Sequence, residues 1–230
     1  MDFLLASLSA AWHLLIGADP EVVGIVWTSL WIAATATALA ALIGVPAGVL
    51  VALARFRGRG AVLLGLNTLM ALPTVVVGLF VYGLISRQGP LGEWGLLFTP
   101  AGIVLGECIL ALPIIANLTV TAVTALDPRL LATCRTLGGG PARVGLAVVL
   151  EGRHGVLAAL VAGFGRVVAE VGVAMMLGGN IRWYTRTMTT AIALETSKGE
   201  FVLGLALGLA LLGVAFAVNA ALFTLRGRTP

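Results

Sequence analysis

Charge is what this sequence has least of. Charged residues make up 10% of its 230 residues and hydrophobic ones 60%, and the mean hydropathy is +1.08. Such a chain has too little polar surface to face water on all sides, which excludes a soluble globular domain. The isoelectric point of about 9.8 therefore reflects membrane topology, and we expect lipid rather than nucleic acid as its surroundings.

Long runs with few or no charged residues fill most of the chain, and each is long enough to cross a bilayer as a helix. They predict one all-α integral membrane domain over 1–230 with five transmembrane helices. Pro46, Pro73 and Pro113 are the expected bending points. The predicted spans are residues 22–54, 61–86, 94–126, 155–181 and 201–225.

The N-terminal segment is harder to assign. Its apolar stretch, residues 3–18, is slightly short for a span and contains His13. We expect a short interfacial helix, with a sixth span as the alternative. A signal peptide is not expected, because Asp2 stands where such peptides carry basic residues.

The basic residues set the expected orientation through the positive-inside rule. Nine arginines lie on one side of the predicted topology and four basic residues on the other. The rule places the C-terminus and the segment 127–154 in the cytoplasm, in a bacterial or archaeal cytoplasmic membrane. The nine are Arg55, Arg57, Arg59, Arg129, Arg135, Arg143, Arg153, Arg226 and Arg228.

Residues for catalysis and metal binding are also scarce. His13 and His154 lie on opposite predicted sides, and no His-Glu-x-x-His pattern occurs, so no catalytic or metal site is expected. No Gly-x-x-x-x-Gly-Lys-Ser/Thr phosphate loop is present either. Any ATP and magnesium must therefore bind to another chain, and this one is not expected to be an enzyme or to hold a cofactor.

The segment 127–154, expected in the cytoplasm, begins with residues that typically start and end a helix. Asp127 suits an N-cap, Pro128 the first turn and Gly138 the left-handed residue after the end, which predicts a helix over 128–137. A second helix should start at Pro141. Leu130, Cys134 and Leu137 form an apolar stripe on the first helix, which is too short to persist alone in water. The segment either packs under its own spans or meets a partner surface.

The same segment resembles the coupling motif of binding-protein-dependent ABC importer permeases: Glu-Ala-Ala, three residues, Gly, nine residues, Ile, any residue, Leu-Pro. Ala132-Thr133-Cys134 stands at the Glu-Ala-Ala position, Gly138 is kept, and Ala132 and Glu151 replace the usual acid and proline. The loss of the acid places more of the expected ATPase contact on apolar packing and arginines. The coupling residues this implies are Arg129, Leu130, Leu131, Ala132, Cys134, Arg135, Leu137 and Gly138.

The resemblance extends over residues 22–225. The stretches "RVVAEVGVAMMLGGN", "NIRWYTRTMTTAIALETSKGEF" and "MALPTVVVGLFVYGLISRQGPLG" are similar to permeases of the molybdate, sulfate and tungstate group, and most similar to the tungstate type. The resemblance implies a type I ABC importer permease fold and a homodimer. It also implies two ABC ATPase subunits on the coupling helices and an extracytoplasmic oxyanion-binding protein. Tungstate is the expected solute, with molybdate or sulfate as alternatives.

An oxyanion path needs weak, exchangeable contacts. Candidates are hydroxyl, amide and charged side chains, although the threonines could equally be back-bonded within ordinary helix packing. Arg182 and Arg186 are expected at the outer mouth, with contact to the docked binding protein as the alternative role. The candidates for the path or its gate are Thr74, Asn117, Arg166, Glu170, Asn180, Thr187 and Thr190, with Thr185 and Thr189 of the same kind.

Three charged residues fall inside predicted spans, where charge is costly. Arg166 and Glu170 are spaced i and i+4, so they could form a structural pair; Arg166 could instead bridge to Glu107, or the residues could serve a gate. An ion-coupled secondary transporter with Glu107 or Glu170 as a proton site is the rival function. Such a transporter would not need the coupling motif.

Overall fold

The computed structural model describes residues 2–54 and 56–226, with side chains for 5–54 and 56–224. Arg55 and Arg228, two of the arginines behind the predicted orientation, lie outside the described residues. The described part is helical, with one 3-10 turn at Gly92–Trp94. The helices are α1 Asp2–Ile16, α2 Pro20–Leu53, α3 Arg59–Met70, α4 Thr74–Ile85, α5 Pro100–Thr124, α6 Pro128–Thr136, α7 Pro141–Glu151, α8 Arg153–Val168, α9 Gly172–Gly178, α10 Met188–Lys198 and α11 Phe201–Arg226.

Three helices, α2, α5 and α11, are long and apolar enough to cross a membrane. Two bent pairs, α3 with α4 and α7 with α8, each qualify as one interrupted span, which gives up to five spans in the described residues. The pair α3–α4 turns by 97° at a break before Thr74. The bend expected at Pro73 is therefore confirmed, because proline has no backbone N–H to continue a helix. Pro46 and Pro113 lie inside α2 and α5 without interrupting either helix, and a bend at these two residues stays a prediction.

The expectation of one helix over 155–181 is wrong. α7 and α8 meet at 77° around Gly152, and α8 then ends at Val168, before a turn and the short α9. The turn is held from elsewhere in the fold: the Thr189 hydroxyl donates to the Glu170 carbonyl at 2.6 Å. Tertiary hydrogen bonds thus satisfy backbone groups that the interruption frees.

The core is centred on α5, which packs against α2, α3, α4, α8 and α9. Its contact with α2 is very close, because a Cβ at Gly48 would lie 2.5 Å from the Ala116 carbonyl oxygen. Small residues allow such approach where lipid supplies no hydrophobic drive between helices. A second apolar cluster joins α4, α5 and α9, and a third joins α2, α5 and α7.

The N-terminal helix α1 packs against α11. Ser7 and Ala11 are buried, whereas the exposed side is apolar and includes Leu5, Trp12 and Ile16. An apolar face suits lipid contact, but the 15 residues of α1 would cover only about 22 Å, less than a full span. The interfacial placement of α1, with a sixth span as the alternative, stays a prediction.

Candidate functional site

The predicted coupling helix is present as α6, Pro128–Thr136, one residue shorter than expected. The Asp127 carboxylate accepts from the Arg129 amide at 2.8 Å and caps the start. Gly138 follows the end with φ +77°, and the Gly139 amide closes the turn on the Cys134 carbonyl at 2.9 Å. The left-handed backbone is the reason for glycine at position 138, since side chains rarely adopt that conformation.

Only part of the apolar stripe of α6 packs against the rest of the chain. Leu130 and Cys134, with Leu131, pack against the cluster of Val49, Val123, Val144 and Val148, whereas Leu137 is 82% exposed. The expected packing of α6 under its own spans is therefore confirmed for these residues, whereas contact with a partner surface stays a prediction. The exposed residues from 129 to 138 are Arg129, Ala132, Thr133, Arg135, Thr136, Leu137 and Gly138.

Arg166 and Glu170 form an ion pair of 2.7 Å. The two side chains differ in exposure, 38% for Arg166 and 3% for Glu170. Glu170 lies beyond the end of α8, and its Oε1 accepts from the Val173 amide at 3.2 Å, inside the first turn of α9. The carboxylate thus neutralises an arginine and caps a helix, which explains a buried charge at this depth.

Glu107 lies close to this pair without joining it. It is 3% exposed, and its Oε2 has no hydrogen-bond partner among the described residues. The ion pairs of the described residues do not include the alternative bridge from Arg166 to Glu107. Thr74, at the start of α4, lies near Glu170, because a Cβ at Gly172 would lie 3.3 Å from both Thr74 Oγ1 and Glu170 Oε1.

The threonine candidates between residues 185 and 190 are buried inside the single chain. Thr187 and Thr190 form a capping box at the start of α10, with the Thr187 amide donating to Thr190 Oγ1 at 2.9 Å. Thr185 donates to the Gly178 carbonyl, and Asn180 Nδ2 donates to the Thr190 carbonyl at 3.3 Å. These bonds hold the α9–α10 connection together. A path role for this group stays a prediction.

Asn117 is placed differently. Its Nδ2 donates to Asn67 Oδ1 at 2.8 Å, joining α5 to α3 on an exposed face. Asn67 was not among the sequence candidates, although an amide within an otherwise apolar run was the available signal. The two residues are 50 positions apart, so their pairing appears only in the fold.

Arg182 and Arg186, which are expected at the outer mouth, belong to an ion-pair network that sequence reasoning missed. Arg182 bonds both oxygens of Glu21, at the start of α2, and Arg186 Nη1 lies 3.3 Å from Glu21 and 3.8 Å from Glu195. Lys198 pairs with Glu195 at 3.0 Å. The bonds to Glu21 raise the pKa of Arg182 above its ordinary value. The network ties the loop before α10 to the start of α2.

The helical arrangement has a counterpart among solved structures. A chain of the MetNI methionine ABC transporter in inward-facing conformations matches with a TM-score of 0.72, over 92% of this chain and 99% of that chain. At 19% identity the likeness shows the fold alone. The chain therefore has the fold of an ABC importer permease, as the resemblance of the coupling segment implied.

Comparison with known sequences identifies the family of this chain. No family model matches the chain. The tungstate uptake system permease protein TupB of Campylobacter jejuni is 40% identical over 95% of this chain and 92% of its own length. TupB of Peptoclostridium acidaminophilum is 35% identical over 98% and 99%, and the molybdenum permease ModB of Azotobacter vinelandii 30% over 76% and 84%.

The chain therefore belongs to the family of ABC transporter permeases that contains the tungstate uptake permeases, with molybdenum permeases as more distant relatives. Membership makes it a multi-pass membrane protein. It also implies an ATPase subunit and a substrate-binding protein as partners.

Proposed function

We propose that this chain carries a tetrahedral oxyanion, most specifically tungstate, inward across the cytoplasmic membrane as a homodimer, driven by ATP hydrolysis on two separate ABC ATPase subunits. The observation that carries the proposal is α6, a capped helix with its inner side packed against the spans and its outer side free. An extracytoplasmic oxyanion-binding protein delivers the solute.

The packing of α6 gives it a mechanical role. Its inner residues contact the apolar cluster that contains Val49 of α2, Val123 of α5 and Val148 of α7. Movement of α6 by an ATPase would therefore shift the ends of these helices directly, because close-packed interiors transmit displacement. ATP and magnesium bind to the ATPase, and this chain holds no cofactor of its own and has no ATPase site. The absence of a phosphate loop from the sequence supports this division.

The arginines support an orientation with α6 in the cytoplasm. Arg129 and Arg135 lie on α6 and Arg143 on α7, whereas Arg57 lies between α2 and α3 and Arg59 begins α3. Basic loops stay on the cytoplasmic side of membrane proteins. The C-terminus at the end of α11 lies on the same side in this orientation.

The face formed by α3 and α4 is the surface that we assign to the second copy and the solute path. α3 has no buried residue, and Val75, Leu79 and Phe80 of α4 are more than half exposed. The Asn67–Asn117 amides lie on the same side. Polar amides facing lipid are costly, whereas at a water-filled path they can donate N–H groups to an oxyanion.

The remaining path candidates divide by burial. Asn117 reaches the open face, whereas Thr187, Thr190 and Asn180 hold α10 and its connection. Thr74, Arg166 and Glu170 lie at the junction of α4 with α9, where we propose that they control the gate by fixing that junction. The ion pair and the cap account for Glu170 without a proton-coupled role.

Tungstate is favoured over molybdate and sulfate by degree of similarity. Identity to the tungstate permeases is 35–40% over nearly the whole chain, against 30% over 76% for the molybdenum permease of Azotobacter vinelandii. Tungstate and molybdate are tetrahedral dianions of almost the same size. The binding protein therefore makes most of the distinction, with molybdate or sulfate as the alternative solutes.

The test is ATP-dependent tungstate uptake into vesicles carrying this chain with its ATPase and binding protein, with molybdate and sulfate as competitors. Uptake that resists excess sulfate supports the proposal; uptake driven by a proton gradient without ATP overturns it. Gly138→Val strains a left-handed residue without a steric clash, since a Cβ there meets nothing within 4 Å. We expect it to abolish coupled uptake, whereas Gly138→Asn, which tolerates this backbone, retains much of it.

A further inference from the structure

An apolar groove of about 680 Å³ lies between the C-terminal part of α2 and α7. Its volume falls within the roughly 300–1,000 Å³ of small-molecule sites. Aliphatic side chains form its walls, among them Val45, Leu50 and Leu53 from α2 and Leu146 and Val149 from α7. An oxyanion needs polar contacts, so it is not expected to bind to such an aliphatic lining.

Positive charge stands beside this apolar volume. Arg135 of α6 contributes to the lining. A second guanidinium, outside the lining, is fixed near the C-terminal end of α2, because Arg59 Nε donates to the Val51 carbonyl at 2.9 Å. Arginine binds phosphate oxygens through two parallel N–H groups. The groove thus joins an acyl-chain environment to a phosphate-binding one.

Its position decides between possible occupants. The α2 wall is the end of a membrane-spanning helix of mean hydropathy 2.2, and in the proposed orientation this end reaches the cytoplasmic leaflet. Leu50 and Leu146 are 67% and 60% exposed there. Basic pockets between helices at this depth bind anionic lipid headgroups. A soluble partner docking on the outer face of α6 would meet Arg129 and Leu137 rather than these aliphatic walls.

We infer that the groove binds one anionic phospholipid of the cytoplasmic leaflet, with an acyl chain between α2 and α7 and its phosphate on Arg135. The inference rests on the proposed orientation but not on the identity of the solute. The bound lipid fills the space between α2 and α7 next to α6. It therefore stabilises the packing of α2 and α7 beside α6.

Gly145 allows the groove to be blocked without disturbing its walls. It lies in the lining, and a Cβ added there would meet only Val49 Cγ1, at the ordinary contact distance of 3.8 Å. Gly145→Leu therefore places a side chain in the groove. Gly213→Leu on α11 is the matched control, because a Cβ there meets nothing within 4 Å and the position is outside the groove.

The experiment is native mass spectrometry of the delipidated permease–ATPase complex, titrated with phosphatidylglycerol or phosphatidylcholine of identical chains. The wild-type complex and Gly213→Leu should bind one phosphatidylglycerol per permease chain in preference to phosphatidylcholine. Arg135→Gln should weaken phosphatidylglycerol binding about fivefold, the effect of one guanidinium near an anionic lipid, and leave phosphatidylcholine unchanged. Gly145→Leu should remove binding of both lipids while the ATPase remains associated.

Three results would overturn the inference. Equal affinity for the two lipids would remove the role of charge, and full lipid binding by Gly145→Leu would place the lipid elsewhere. Loss of the ATPase from Gly145→Leu with lipid binding intact would make the groove an ATPase-docking surface instead.

Discussion

Replacing Arg166 by methionine leaves the buried carboxylate of Glu170 without its arginine partner. Methionine keeps most of the side-chain volume and removes the 2.7 Å ion pair. The Glu170 carboxylate then retains its bond from the Val173 amide at 3.2 Å but loses its only salt-bridge partner among the described residues. A carboxylate that is 3% exposed cannot replace that partner with bulk water.

The expected loss of stability follows from this geometry. Breaking a fully buried pair costs about 3–5 kcal/mol. Arg166 is 38% exposed, so water already screens the pair, and about 2–3 kcal/mol is the expected loss. At about 2–4 °C per kcal/mol for a chain of this size, the thermal midpoint should fall by roughly 5–10 °C.

Two double variants separate the charge from the cap. In Arg166→Met with Glu170→Gln, the amide oxygen still accepts from the Val173 amide and no charge is buried, so the midpoint should return to within about 2 °C of the wild type. The reversed pair, Arg166→Glu with Glu170→Arg, should be at least as unstable as Arg166→Met, because arginine offers no acceptor to α9.

The assay is thermal unfolding of the purified transporter in detergent, followed by circular dichroism at one fixed scan rate, since such unfolding is commonly irreversible. The exposed Arg143→Met on α7 serves as the control and should shift the midpoint little. An unchanged midpoint in Arg166→Met, or a double variant as unstable as the single one, would refute the reasoning.

Three further predictions concern the path face, α10 and the α2–α5 contact. Asn67→Asp places a carboxylate on the path face and should lower tungstate uptake at least tenfold, with stimulation of ATP hydrolysis by the binding protein retained; Asn67→Gln should keep uptake, and equal uptake by both would argue against this face. Thr187→Ala removes an N-cap and should cost about 1 kcal/mol in thermal unfolding, whereas Thr187→Ser should not; equal midpoints would contradict the capping role. Gly48→Ala brings a Cβ within 2.5 Å of the Ala116 carbonyl and should lower the midpoint, while Gly60→Ala, with nothing within 4 Å, should not; the opposite order would contradict the close contact.

The features that sequence reasoning predicted are those with local signals. The bounds of α6 follow from Asp127, Pro128 and Gly138, all within one short segment, and the bend before α4 follows from Pro73. The ion pair of Arg166 with Glu170 was also an i, i+4 prediction, and it forms although the helix assumed for it ends at Val168.

The features that it missed depend on contacts between distant segments. No proline marks the break after Val168; the Thr189 hydroxyl, which donates to the carbonyl of Glu170 19 residues earlier, helps to hold it. Asn67 pairs with an amide 50 residues later, and Glu21 with an arginine 161 residues later. Without the packing of α2, α5 and α8, nothing in the residue order indicates which of these side chains meet.

We expect α3 to need less free energy for local unfolding than α2 or α5. It has no buried residue and packs chiefly against α5, with the Asn67–Asn117 amide bond between them. Segments with few buried contacts unfold locally at low free energy and exchange their amide hydrogens first. In the isolated chain, α3 should therefore lose hydrogen-exchange protection well before α2 or α5, and any surface that covers it should slow that exchange. The helix beside the proposed path is thus one that the chain alone holds weakly, and the proposed second copy would add to its stability by covering it.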